Sequence, residues 1–484
     1  MSFRYRLLII IPLVIIFVIS GPALILYGEG YRYDWQNKRL SKTGNFYVDS
    51  TPRDATILIN DQSPVEPWYQ KIFIHKKMLG LAKVSGTTPT AVSNLIPNKY
   101  NLVVQKDGYR LWQKSLEILP EQTTNTGRIY LFLQDISPEL VLAEKISYLL
   151  PTDNGKQIFY SIYDAGAKIS EIKIIRPEQP KPAAELITKI KGKVSSLEKN
   201  NNYLAVKSDT GLYLINLDDA TKTILINNLV SSPQKISLFN NIFYVQSNKK
   251  IYALDPNTQK VNLFFDLANI SPTRSQLKDW FIGKDAIFLI KKIDGDIYLD
   301  KINLAISAEK YTKQSIVYSL SLPNYLFAIN PQQLNDDLMI LTANQEFFII
   351  DPSQKTNYII ARNPAKKIIV QPEAKNILAY NDFEISLYAI NKKNDLWQIK
   401  NDLINRSSNQ VNQVLWRTGN NYILNADKNN NLMAIELDGR DSRNIYNLFR
   451  FDNLQTIWNN ANPNLVYVLG KIGEQSGIWR LKLQ

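Results

Sequence analysis

Residues able to do chemistry are few in this chain of 484 residues. Cysteine is absent, so disulfides, thiolate metal sites and a cysteine nucleophile are excluded together. The single histidine, His75, lies in an aromatic-rich stretch, and no G-x-S-x-G elbow exists to make it part of a nucleophilic site. It reads as a packed or solvent-facing side chain. The segment DKNNNLMAIELD spaces Asp427, Asn429, Asn431 and Asp438 like a calcium loop. However, its sixth position is Leu432, where such a loop needs glycine, and its twelfth is Asp, with a shorter reach than Glu. Flanked by apolar runs, it reads as a hairpin turn, as does Asp294-Gly295-Asp296. No phosphate-binding glycine loop, zinc spacing or paired-acid motif stands out. The sequence therefore predicts no catalytic residue, no metal and no cofactor.

The elements behind these residues begin with Leu7 to Tyr27, 21 residues without a charged side chain, fifteen of them Leu, Ile, Val or Phe. At 1.5 Å rise this run is about as long as the 30 Å hydrocarbon core of a bilayer is thick. Its residues favour insertion by roughly 0.3 to 0.6 kcal/mol each. The run is too long for a secretory h-region and no Ala-x-Ala site follows, which predicts an uncleaved signal anchor. Residues 1–6 are expected in the cytoplasm and the body outside, although basic residues flank the run on both sides. The chain carries 57 Lys+Arg against 44 Asp+Glu, a net +13 dispersed in short lysine pairs. Such a field favours anionic neighbours, while nucleic acid usually meets a concentrated basic stripe. No nucleic-acid partner is predicted.

After a linker (28–43), period-two alternation appears. NFYVDSTPRDATILIND reads as a hairpin with a Ser-Thr-Pro-Arg-Asp corner, and residues 86–134 read as three further strands. Pro97-Asn98 suits a type II turn, and Asp107-Gly108 marks a hairpin. The sum is a compact antiparallel β module spanning 44–134. The corner, Thr88-Pro89, Leu95-Ile96-Pro97-Asn98-Lys99-Tyr100 and Gly108-Tyr109 resemble the PEGA domain, a small β-sandwich-like module of exported and surface proteins. The resemblance covers roughly 44–120 and implies a fold, not an activity. Where the family's namesake glycine belongs, this chain has Asp54, a residue that tolerates the left-handed region. An insertion at 61–85 carries Trp68, Tyr69, Phe73, Lys76 and Lys77, an amphipathic mix suited to a membrane surface or a partner; the plainer alternative is an elongated hairpin covering the module's own edge.

From 138 to 484 one unit recurs, a pair of alternating strands around a polar turn. Aligned on Ser170, Tyr213, Tyr252, Tyr298, Phe348, Tyr388, Met433 and Trp479, its second strands are spaced 43, 39, 46, 50, 40, 45 and 46 residues apart. That period, near 44, is the length of a propeller blade. The last unit has no room for a fourth strand, whereas PELVLAEK (138–145) reads as one that precedes the first unit. Its pairing with the last blade would close the ring. The expected fold is all-β: an N-terminal transmembrane helix, the β module, then a propeller of eight four-stranded blades, or seven if one unit is an embellishment. The repeat resembles WD40-like and quinoprotein-like propellers of extracytoplasmic bacterial proteins, without a Trp-Asp dipeptide. Tyrosines at repeated strand positions are expected to pack between blades more than to stack on sugars.

These features predict a membrane-anchored binding or scaffold protein for a protein or an anionic cell-envelope polymer, and not an enzyme. The alternative is a hydrolase or lyase with its site in the propeller channel. Carboxylates converging in that channel would favour the enzyme, and a lysine-lined or apolar channel would not.

Overall fold

In a computed structural model, all residues are described except 1–2, 35–36, 61–85, 153–154, 180–181, 240–241, 267, 269–274, 283–285, 304–315, 323–329, 334–337, 352–358, 372–375, 394–395, 418–420 and 461. The apolar run forms helix α1, Phe3–Gly28, with Pro12 and Pro22 inside it. No residue of its Ile10–Gly28 stretch is buried. A buried core helix is thereby ruled out, and the helix has the length and composition to cross a bilayer.

The stretch 28–43 is more than a linker. It holds an antiparallel hairpin of β1 (Tyr31–Asp34) and β2 (Arg39–Lys42), pairing Tyr31 with Lys42 and Tyr33 with Leu40. The Asp34 carboxylate accepts from the Asn37 backbone N–H at 3.1 Å and from its side chain at 2.8 Å.

The next unit consists of two three-stranded sheets. One has β3 (Gly44–Thr51) at its centre, flanked by β5 (Thr90–Leu95) and β8 (Thr123–Tyr130). The other is ordered β4 (Thr56–Ile59), β6 (Lys99–Gln105), β7 (Trp112–Glu117). Two expectations are corrected here. NFYVDSTPRDATILIND is not a hairpin, because β3 and β4 belong to different sheets and the corner carries the chain between them. Nor is the module purely antiparallel: β8 returns from the second sheet and lies parallel to β3. Residues 86–134 also hold four strands where three were expected.

The corner is held by Thr88. Its hydroxyl meets Ser50 Oγ at 2.5 Å and accepts from the Ala55 N–H at 3.1 Å, while its carbonyl accepts from the Asp54 N–H at 2.8 Å. Both Thr51-Pro52 and Thr88-Pro89 are cis, and Asp54 has φ 61°, the left-handed conformation its side chain allows. Asn98 does not take the positive φ a type II turn requires; Asn94 does, at 65°. Phe46, Val48, Ile57, Leu102, Val104 and Trp112 pack between the two sheets as the core.

Residues 138–484 form eight four-stranded antiparallel sheets. The first seven span 148–191, 194–225, 235–266, 275–322, 330–364, 367–406 and 411–450 and supply strands β10 to β37 in order. The eighth contains β38 (Asn453–Asn459), β39 (Leu465–Ile472) and β40 (Gln475–Lys482), completed by β9 (Glu139–Leu142) on β40. Every repeated strand found in the sequence is the third of its sheet. Each sheet alternates its apolar residues to two sides, so neighbouring sheets share clusters. Ile172, Ile174 and Leu204 join blades one and two, Leu214 and Phe243 join two and three, and Ile251 and Trp280 join three and four. The series runs on through blade eight and returns to blade one through Ile158, Tyr160, Trp458 and Tyr467. Fully burying a side chain of this size contributes about 1.5–3 kcal/mol, and the ring repeats that gain at eight junctions. At the seam Gly477 faces Leu142 so closely that a Cβ there would stand 1.8 Å from the Leu142 carbonyl oxygen.

Candidate functional site

First strands touch between blades one and two, three and four, four and five, and seven and eight, which sets them toward the ring's axis. Blades six, seven and eight, with Thr342 of blade five, line an open cavity of about 610 Å³. The polar groups around it are Thr342, Lys366, Lys367, Asn412, Gln413, Gln455 and Thr456, and no carboxylate is among the described lining residues. Lys366 Nζ bonds Asp382 Oδ1 at 2.8 Å. The Gln413 side chain stitches blade seven to blade eight: its Oε1 accepts from Thr456 Oγ1 at 2.8 Å and the Ile457 N–H at 2.9 Å, and its Nε2 donates to the Ile457 carbonyl at 2.8 Å. Burial pushes the Tyr380 hydroxyl up, only partly offset by its backbone bond to Val414. Lys367, Asn412 and Gln455 also line the cavity. Hydrogen-bond donors of this kind suit an anionic or amide-rich ligand.

The module docks onto blade seven through charges that sequence reasoning missed. Trp112 Nε1 donates to Glu436 Oε1 at 3.0 Å, and Lys114 Nζ reaches Glu436 Oε2 at 2.9 Å and the Asp438 carbonyl at 2.7 Å. Around them Ser115 N–H donates to Asp441, Asn444 to the Gln113 carbonyl, and Tyr446 to the Leu111 carbonyl. Burial opposes ionisation of Asp438, yet the Arg440 fork and nearby Lys114 hold its carboxyl below the ordinary value. A signal was present in the alternation: Lys114 falls in phase with Trp112 and Leu116, and Glu436 in phase with Leu432 and Ala434, all buried. An in-phase charge on a buried face demands a partner.

Asp427 and Asp438, spaced like a calcium loop in sequence, are separated by the strand Asn431–Glu436, about 17–20 Å at the usual rise. Asp427 instead closes the hairpin turn by accepting from the Asn431 N–H and side chain, both at 2.9 Å. Asp294 and Gly295, at φ 49° and 105°, form the two-residue turn expected of them. Trp68, Tyr69, Phe73, His75, Lys76 and Lys77 lie outside the described residues. Among the described residues no group of three His, Asp or Glu side chains is gathered for a metal. Of the eight repeated positions, Ser170, Tyr213, Phe348, Tyr388 and Trp479 are buried.

No protein-family model matches this chain, the PEGA domain included, and no curated protein matches it. Solved structures do. The Dos1 propeller is 10% identical, with 72% of this chain and 94% of that one covered at a TM-score of 0.46. Kluyveromyces lactis Hsv2 is 9% identical over 63% and 98%, at 0.40. The Myceliophteria thermophila Cps50 (Swd1) beta-propeller domain is 13% identical over 72% and 98%, at 0.39. These likenesses say nothing of partners. Its own sheets make this chain an eight-bladed β-propeller with a two-sheet module docked against its seventh blade.

Proposed function

We propose that this chain is a single-pass membrane protein that binds an anionic partner, either a cell-envelope polymer or an acidic protein segment, at the axis of its propeller. In this reading residues 1–6 lie in the cytoplasm, 7–27 anchor, the 44–134 module is a PEGA-like spacer, and the propeller of 138–484 works outside. The observation that carries it is the cavity toward the axis, which Lys367, Asn412 and Gln455 line with no carboxylate among the described lining residues. A net charge of +13 adds a long-range pull on the same class of partner.

The test uses the full chain in detergent on immobilised polyglutamate and poly(glycerol phosphate). Retention at 50 mM salt, loss near 500 mM, and at least tenfold weaker retention of the Lys366→Glu/Lys367→Glu variant are expected. No retention on either polymer, or retention indifferent to the charge reversal, would overturn the reading.

A further inference from the structure

The hairpin directly behind α1 has two unlike faces. The register sets Tyr31 opposite Lys42 and Tyr33 opposite Leu40, so these four share one side, while Arg32, Asp34, Arg39 and Ser41 share the other. On the first side Tyr33 is 42% and Leu40 54% exposed. Lys38 and Arg39 stand exposed at the turn.

This hairpin is tied to the helix end. The Arg32 guanidinium lies 3.6 Å from the centre of the Tyr27 ring, in the last helical turn, and donates to the Tyr27 carbonyl at 2.9 Å. It also donates to Asn94 Oδ1 at 3.1 Å, and Lys42 pairs with Glu121, so the same hairpin grips the module. If α1 spans a bilayer, its end lies where the hydrocarbon gives way to the headgroups, a layer of about 5–7 Å on each side. A four-residue strand extends about 13 Å, so a hairpin bound at the level of Tyr27 starts within that layer. Amphipathic aromatic rings and basic side chains are the residues that favour this zone and anionic lipids within it.

We propose that the paired strands Tyr31–Asp34 and Arg39–Lys42 are an interfacial foot: Tyr33 and Leu40 enter the headgroup layer, and Lys38 and Arg39 bind the phosphates of anionic phospholipids. This rests on the reading of α1 as a membrane anchor. Through Arg32 and Lys42 the foot fixes the angle at which the module, and the propeller docked on it, leave the membrane.

The lack of cysteine allows a clean test. Full-length protein carrying Leu40→Cys, labelled with an environment-sensitive fluorophore, is reconstituted into phosphatidylcholine vesicles with and without 30% phosphatidylglycerol. Leu396→Cys, at a site 71% exposed on blade six, serves as reference. The label at 40 is expected to emit to the blue of the reference and to resist iodide quenching at least threefold better. The protection should be greater with phosphatidylglycerol, and Lys38→Glu/Arg39→Glu should abolish that difference. Protein that resists carbonate extraction while its label at 40 is as quenchable as at 396 would overturn the foot alone. Carbonate-extractable protein would overturn the anchor and the foot together. Protection already present in detergent and dependent on protein concentration would place a second copy on this face and also overturn the proposal.

Discussion

Lys114 and Glu436 form an ion pair shut away from water, 2.9 Å apart, with 0% and 5% of their side chains exposed. The pair joins a strand of the small module to the seventh blade, and Trp112 completes it by donating to the second carboxylate oxygen. Burying two charges costs several kcal/mol apiece, which their attraction offsets only while both are present. Lys114→Met is therefore expected to destabilise the docked state by about 3–5 kcal/mol, because the buried Glu436 loses its ion-pair partner and keeps the neutral donors Trp112 and Asn444. Lys114→Met/Glu436→Leu should recover part of that loss. Urea unfolding of the four members of the mutant cycle checks both statements, and additive losses would show that the pair is not coupled.

Acid should loosen the same joint. The Asp438 carboxyl is held below its ordinary value of 3.8, so it binds its proton less readily when docked than when unfolded. Its contribution is fully present above the unfolded value and is lost as pH falls through the lower, docked one. Hydrogen exchange in Trp112–Glu117 is expected to stay flat from pH 7 to about 5, after correction for intrinsic rates, and to rise below about 4. An Asp438→Asn variant should lack that acid-dependent rise.

The propeller was legible in the sequence because each blade repeats one strand whose alternating residues face the two neighbouring blades. Tyr213, Phe348 and Tyr388 mark it at nearly constant spacing. The seam was legible too, since the last unit lacked a strand that 138–145 supplied. Pairing inside the module was not. Whether β3 meets β4 or crosses to β8 depends on which faces the two sheets bury, and local alternation is the same for both. The axial cavity and the dock were beyond spacing arguments as well: Trp112 and Glu436 are 324 residues apart and meet only through the tertiary fold.

Gly477 tolerates no side chain. Its neighbour is the backbone carbonyl of Leu142, which cannot swing aside as a side chain does, so Gly477→Ala must push β9 away from β40. A loss of about 1–3 kcal/mol is expected from such overpacking. Thermal unfolding measures it, and limited proteolysis should show new cleavage near residues 139–146.

Trp280 is wholly buried between blades three and four, and its Nε1 donates to Gln246 Oε1 at 2.8 Å. Trp280→Ala is expected to cost about 3–5 kcal/mol. Trp280→Phe keeps most of the packing but strands the Gln246 oxygen, for about 1–3 kcal/mol. Denaturant midpoints of the two variants should fall in that order.

At Asp54 the backbone itself sets the preference. With φ at 61°, Asp54→Ala should lose about 1 kcal/mol, whereas Asp54→Gly should lose nothing measurable. Equal losses in thermal melts would point to a side-chain role.

The closure of the ring by β9 on β40 also fixes an order of events in the living cell. Glu139–Leu142 leaves the ribosome more than three hundred residues ahead of Gln475–Lys482, the strand it must pair with. At 5–20 residues per second, that is a delay of roughly 15–65 s during which a sticky edge has no mate. A slow-translating host or a stalled ribosome would lengthen that exposure.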